Sequence, residues 1–114
     1  MTHARRALGI RGEEAAAAWY QEHGYRVVDR NWRCRSGELD LVVRLGGLVV
    51  FCEVKTRSSD AFGLPAEAVG RQKQQRIRML AAHWLEESPS PAAEIRFDVA
   101  AVLGDQIEVI QAAF

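Results

Sequence analysis

Four charged residues near the middle of the chain stand where strand residues would be expected to be apolar. They are Glu38 and Asp40 in Gly37-Glu38-Leu39-Asp40, and Glu53 and Lys55 in Phe51-Cys52-Glu53-Val54-Lys55. Both stretches alternate polar and apolar residues with period two, and the Gly46-Gly47 pair between them is a strong hairpin signal. A turn centred on that pair sets Asp40 opposite Glu53 and Glu38 opposite Lys55, all four on one face. Directly opposed residues have Cβ atoms roughly 4.5–5.5 Å apart, a spacing at which like charges repel. Two facing carboxylates therefore need a cation. A hard divalent metal would serve, since it takes oxygen ligands and is commonly held by one or two carboxylates plus a substrate phosphate. With Lys55 beside it, such a site suits phosphodiester hydrolysis: the metal polarises a phosphoryl oxygen and the lysine stabilises charge on the attacking water or the phosphate. The other reading of the same residues is an edge hairpin with a solvated polar face, in which Lys55 simply pairs with Glu38. Register is decisive for the first reading, because a slip of one residue turns Asp40 to the opposite face.

The elements that must position these residues follow from periodicity. Residues 7–23 are alanine-rich, contain Trp19 and Tyr20, and stop at Gly24, which predicts a first helix whose opening turns Gly9 and Gly12 weaken. Glu13 shares a helical stripe with Ala16, Ala17 and Tyr20, whereas Glu14 shares one with Ala17, Ala18 and Gln21, so Glu13 is the acid expected to face inward. An inward glutamate needs a partner or a bound cation, unless it serves only the helix dipole. A short strand over residues 25–30, a polar bend over 31–36 and the charged hairpin come next. The loop after Lys55, through Phe62-Gly63-Leu64-Pro65, leaves directly from the charged strand and is expected over the site.

Residues 66–87 predict a second helix with Val69, Ile77, Leu80, Ala81 and Trp84 as its apolar stripe, ended by Ser88-Pro89-Ser90-Pro91. Lys73 lies within that stripe, where it either snorkels outward or reaches a buried anion. Strands over 95–103 and 106–111 flank Gly104-Asp105. In the first of them Asp98 is an odd acid whose partner, near Arg96 or on a helix, stays open. The order helix, three strands, helix, two strands predicts an α/β or α+β arrangement with helices packed on a small mixed sheet.

Composition narrows the function classes. A chain of 114 residues with 48% hydrophobic and 26% charged content is expected to form one soluble domain. Lys plus Arg and Asp plus Glu are 15 each, which excludes a global positive field, so any nucleic-acid site is a local patch. Arginines group near the start of the chain (Arg5, Arg6, Arg11), before the hairpin (Arg26, Arg30, Arg33, Arg35) and, with Lys73, on the second helix (Arg71, Arg76, Arg78). Each alone is a surface charge; grouped around Trp32 they could hold a phosphate backbone and stack a base. Cys34 and Cys52 have no zinc spacing and read as free thiols of a reducing compartment. No run approaches the ~20 apolar residues of a membrane helix, and the N-terminus lacks a signal-peptide core, so a cytoplasmic location is expected. G-x-S-x-G, Walker A and G-x-G-x-x-G are all absent, and His3, His23 and His83 are scattered, which leaves a histidine-centred mechanism without support.

An ordered set of motifs resembles the bacterial YraN-like family. The motifs are Gly12-Glu13, Arg30-Asn31-Trp32-Arg33, Gly37-Glu38-Leu39-Asp40-Leu41, Phe51-Cys52-Glu53-Val54-Lys55-Thr56-Arg57, Phe62-Gly63, Lys73, Arg96-Phe97-Asp98-Val99 and Ala113-Phe114. That family is a nuclease-like branch of the PD-(D/E)xK superfamily, similar in its core to archaeal Holliday junction resolvases. The resemblance implies a restriction-endonuclease-like core. It also implies Asp40 and Glu53 as ligands of Mg2+ or Mn2+, with the Val54 carbonyl as a further ligand. Lys55 becomes the catalytic lysine, and Glu13 the helix acid holding an outer water or a second metal. The implied activity is endonucleolytic hydrolysis of DNA, with branched and single-stranded forms as candidate substrates. Arg30, Trp32, Arg33, Arg35, Arg57, Lys73 and Arg76 are the expected DNA contacts. Leu39 stands where the superfamily has proline, and Glu38 is left as an extra ligand or as the partner of Lys55. A non-catalytic nucleic-acid-binding or adaptor module is the rival reading. A third makes the apolar end Val109-Ile110-Gln111-Ala112-Ala113-Phe114 a homodimer contact.

Overall fold

Helix α1 (His3–Glu22) starts before the expected Ala7 and ends as its sequence dictates. Gly24 takes φ +89°, its N–H donates to Gln21 O at 3.1 Å, and Tyr25 N–H reaches back to Tyr20 O at 2.9 Å. This is the Schellman arrangement that a glycine past the helix end permits. The structure, a computed structural model, describes residues 3–57 and 69–114, with side chains from residue 9 onward in α1. The loop expected over the site, its Phe62-Gly63 motif and the first three residues of the expected second helix lie outside the described residues, as do the Arg5 and Arg6 side chains.

Strands β1 (Arg26–Cys34), β2 (Gly37–Leu45) and β3 (Leu48–Arg57) form an antiparallel meander. Helix α2 (Arg71–Glu87) carries the chain across to β4 (Glu94–Leu103), which pairs with β3 in parallel, and β5 (Gln106–Ile110) returns antiparallel to β4. The sheet order is β1-β2-β3-β4-β5, and its one parallel joint has the helical crossover that parallel strands need. The α/β class, the mixed sheet and the element order match the expectation, and the architecture is compatible with a small nuclease-like core.

Two apolar layers sandwich the sheet. Ala16, Ala17 and Tyr20 of α1 cover Leu41, Val43, Val50, Cys52 and Ala100 on one face. Ile77, Leu80, Ala81 and Trp84 of α2 cover Leu39, Val42, Val49, Phe51, Phe97 and Val99 on the other. Central strand β3 is therefore apolar on both sides through Cys52, as strands covered on both faces are. Each fully buried large side chain contributes about 1.5–3 kcal/mol. Burial pushes the Cys52 thiol up to about 12, with neighbouring acids adding to it, so this cysteine is an inert core residue.

Two further boundaries differ from the expectation. Residues 31–34 continue β1 instead of forming a bend, and only Arg35 and Ser36 turn. Their polarity reflects an edge strand, where exposed charge guards unpaired backbone. The expected irregularity is condensed into Asn31, a single residue at φ 51°. Helix α2 starts at Arg71 rather than residue 66: Gly70 is extended at its N-cap, and Val69, though buried, precedes the helix.

Asp98 is wholly buried and takes both partners that the sequence left open. It accepts from Tyr20 Oη at 2.6 Å, from Arg96 Nε and Nη2 at 2.8 Å, and from the Ala112 N–H at 3.0 Å. The chain end folds back onto β4. Ala113 N–H donates to Phe97 O at 2.8 Å, and the Phe114 ring stacks on Phe97 with centroids 5.3 Å apart.

Candidate active site

The charged hairpin has the register that its glycine turn predicts, from Leu45↔Leu48 to Leu41↔Cys52. The next pair in that register is Asp40 with Glu53, and there the ladder changes character. Asp40 Oδ2 accepts the Val54 N–H at 2.9 Å, so a carboxylate takes over from the strand backbone. Face alternation breaks at the same place, since Leu41 packs under α1 but Leu39 packs under α2. On the other side, Arg30↔Leu41 and Trp32↔Leu39 bracket Asn31, the left-handed residue. Asn31 and Asp40 thus mark one wrung position across two strands, and the wringing turns the Asp40 carboxyl onto the end of β3.

Glu53 is only 8% exposed and lies on the α2 side of β3. Two ammonium groups meet its Oε1: Lys73 Nζ at 2.6 Å and Lys55 Nζ at 3.7 Å. Lys73 therefore reaches the buried anion and does not snorkel. Burial pushes Asp40 up to about 7, the negative charge of Glu53 and a hydrogen bond with its carboxyl push the same way, and the Val54 N–H pulls down. Glu13 adds a smaller upward push through its charge. The inward stripe predicted for Glu13 is observed, for Glu13 is half-buried while Glu14 is exposed. Lys55 is held below the ordinary lysine range by burial and by the Lys73 ammonium, with Glu53 opposing. Lys73 moves the other way: burial, the largest single influence, lowers it, but the contacts with Glu53 and Lys55 and the charges of Glu53 and Asp40 together outweigh that.

The structure brings Asp40, Glu53, Lys55 and Lys73 together and sets Glu13 at the margin. Glu38 is not the partner of Lys55; it pairs with Arg33 Nε at 3.0 Å, across the β1–β2 rung. Among the described residues, no three His, Cys, Asp or Glu side chains converge at metal-ligand spacing. Two carboxylates forced together still fit a hard divalent cation, which is commonly held by one or two carboxylates, waters and substrate oxygens.

Around the acids, the expected DNA contacts separate. A Cβ at Gly37 would lie 3.3 Å from Leu80 Cδ1 and 3.7 Å from Arg76 Cδ, so the turn bearing Arg35 rests on the α2 face bearing Arg76. Arg57 lies beside Lys55, whose proton it helps to loosen, and donates to Thr56 O at 3.2 Å. Arg30 is exposed on the edge strand. Trp32 packs against the α2-side core and, with Arg26, Asp29, Arg44 and Trp84, lines a cavity of about 310 Å³. The exact target of Lys73 was beyond sequence reasoning; its one signal is a lysine inside an apolar stripe.

Residues 12–102 match the uncharacterised protein family UPF0102. The chain is 57% identical over 100 residues to a UPF0102 protein of Beutenbergia cavernae, covering 88% of this chain and 85% of that one. A UPF0102 protein of Frankia alni is 56% identical over 99 residues, 87% of this chain and 82% of its own. One from Moorella thermoacetica is 46% identical over 120 aligned positions that span both chains in full. These matches agree with the YraN-like resemblance carried by the motifs.

Proposed function

The chain belongs to the uncharacterised protein family UPF0102, and we propose that it is a Mg2+- or Mn2+-dependent, endonuclease-like protein that hydrolyses DNA phosphodiester bonds. The observation that carries this reading is the Asp40–Glu53 carboxylate pair at the end of β3, faced by two lysines. Asp40 and Glu53 are the residues that would hold the metal, with the Val54 carbonyl as a further ligand. When bound, the metal supplies charge to stabilise the phosphoryl oxygens and to acidify water. Lys55, beside Glu53 at the end of β3, is placed to orient the attacking water and to stabilise charge on the phosphate. The new bond joins the water oxygen to phosphorus while the water's proton passes to solvent, the bond to the leaving oxygen breaks, and that oxygen takes a proton from solvent. Arg35, Arg57 and Arg76 supply positive charge around the acids for the strands on either side. Branched and single-stranded DNA are the substrates to try first.

The test is cleavage of branched, flapped and linear DNA with Mg2+ or Mn2+ by the wild type, Glu53→Ala and Lys55→Ala. Both variants are expected to lose activity by about 10²–10³-fold, the scale of one lost group that holds or stabilises charge at the reacting centre. Equal cleavage by all three overturns the assignment. One observation favours the adaptor reading: Glu53 already has its cations within the chain. That reading predicts salt-sensitive DNA binding that survives Glu53→Ala, with no heat of metal binding.

A further inference from the structure

The chain has thirteen arginines and only two lysines, Lys55 and Lys73. Both lysines converge on a single carboxylate oxygen, Glu53 Oε1, one from β3 and one from α2. The two residue types differ in a way that matters here. A guanidinium is a rigid fork that grips a carboxylate at two points, whereas an ammonium is a compact charge on a flexible stem. The closer contact, 2.6 Å, is made by the lysine with the freer path to solvent: the Lys73 side chain is 43% exposed and that of Lys55 is 18% exposed. Lys73 also stands in the first turn of α2, which carries no acid and where the helix dipole disfavours a cation. The Glu53 contact is what compensates for that placement.

Charge balance gives the contact its meaning. Two carboxylates and two ammonium groups are neutral together, and the acids cannot both stay ionised side by side without such cations. A divalent ion added to that set leaves an excess of two positive charges, and Lys73 already takes up Oε1, one of the oxygens that the ion needs. Resting on the nuclease reading, we infer that Lys73 is an exchange cation. It neutralises Glu53 while no divalent ion is bound, and it leaves for the solvent side, where a substrate phosphate would lie, when the ion binds. Lys55, more enclosed, stays in place.

Calorimetric titration of Mn2+ into the wild type, Lys73→Met and Lys73→Arg at one pH tests this, together with amine-reactive labelling of the wild type read by mass spectrometry. Having only two lysines makes each labelled side chain separately readable. Lys73→Met is expected to bind Mn2+ roughly tenfold more tightly than the wild type, the scale of one removed neighbouring charge. Lys73→Arg is expected to bind it less tightly. Saturating Mn2+ is expected to speed labelling of Lys73 several-fold and to leave Lys55 unchanged. Equal Mn2+ affinity for wild type and Lys73→Met, or a Lys73 labelling rate that Mn2+ does not change, overturns the exchange and leaves the nuclease reading standing. Absence of Mn2+ binding in all three proteins overturns both. If Lys73→Met does not fold, the wild-type labelling decides.

Discussion

At Asp40, folding raises the pKa of a carboxyl from the ordinary 3.8 to about 7, through burial first and the charge of Glu53 second. Between those values the folded chain holds a proton that the unfolded chain has released, so this residue makes stability fall as pH rises through the window. Asp40→Asn keeps the shape and removes the charge. The variant is expected to match the wild type near pH 4 and to exceed it by on the order of 2 kcal/mol at pH 8, as urea denaturation would read. A difference that is flat with pH would contradict the account. Asp98 is a different kind of acid, wholly buried and fully bonded. Asp98→Ala strands the Arg96 guanidinium and the Tyr20 hydroxyl, for an expected loss of about 3–5 kcal/mol. Tyr20→Phe removes a single donor and is expected to lose only about 1–2 kcal/mol by the same measurement. Asp40, Glu53 and Lys55 were legible in the sequence because a strand repeats every two residues and a glycine pair fixes its register. The grip of Lys73 on Glu53 was not, because it depends on where α2 crosses the sheet, and no local pattern encodes that.

Helix α1 is seated on the sheet by a missing side chain. A Cβ at Gly12 would overlap Thr56 Oγ1 and lie 3.1 Å from Thr56 Cβ, so only glycine lets the helix come so close to the end of β3. Glu13 is the next residue, and the same contact decides how near its charge comes to Asp40. Gly12→Ala is expected to destabilise the fold by about 1–3 kcal/mol, as overpacking does. Thr56→Ala in the same chain should recover part of that loss in a double-mutant cycle; simple additivity would mean that the two positions do not touch. The sequence reading treated Gly12 as a weakness of the helix, because propensity reports the backbone alone and says nothing of what lies across from it. Strand β1 was shortened for a related reason. Its arginines and asparagine look like a bend until the strand is known to be at the edge. The extra residues at the start of the second helix were a periodicity carried past Gly70, where the backbone turns extended.

Across the whole molecule, acids and bases balance, and no helix among the described residues is long and apolar enough to cross a membrane. The proposed contact with DNA is therefore local. Affinity for a duplex is expected to fall with salt at a log–log slope of roughly −3, as for three or four neutralised phosphates, and a much steeper slope would point to a second basic surface. Fold class could be read in advance because element order suffices for it, whereas the two-sided burial of β3, strand ends and the partners of Asp98 needed the assembled core. The single parallel joint has a consequence in time. The meander β1–β2–β3 closes through two-residue turns, while the rung Leu48↔Glu94 must wait for all of α2 to be threaded between its strands. Contacts close in sequence form first, and long closures come late. A refolding chain thus assembles the two acids before the helix that bears Lys73 arrives, so the half-built protein carries a pair of carboxylates with Lys55 as their neighbouring cation and Lys73 still missing. Mn2+ present from the first milliseconds should bind this early species and hasten its formation, and Mn2+ added only after α2 has docked should arrive too late to do so.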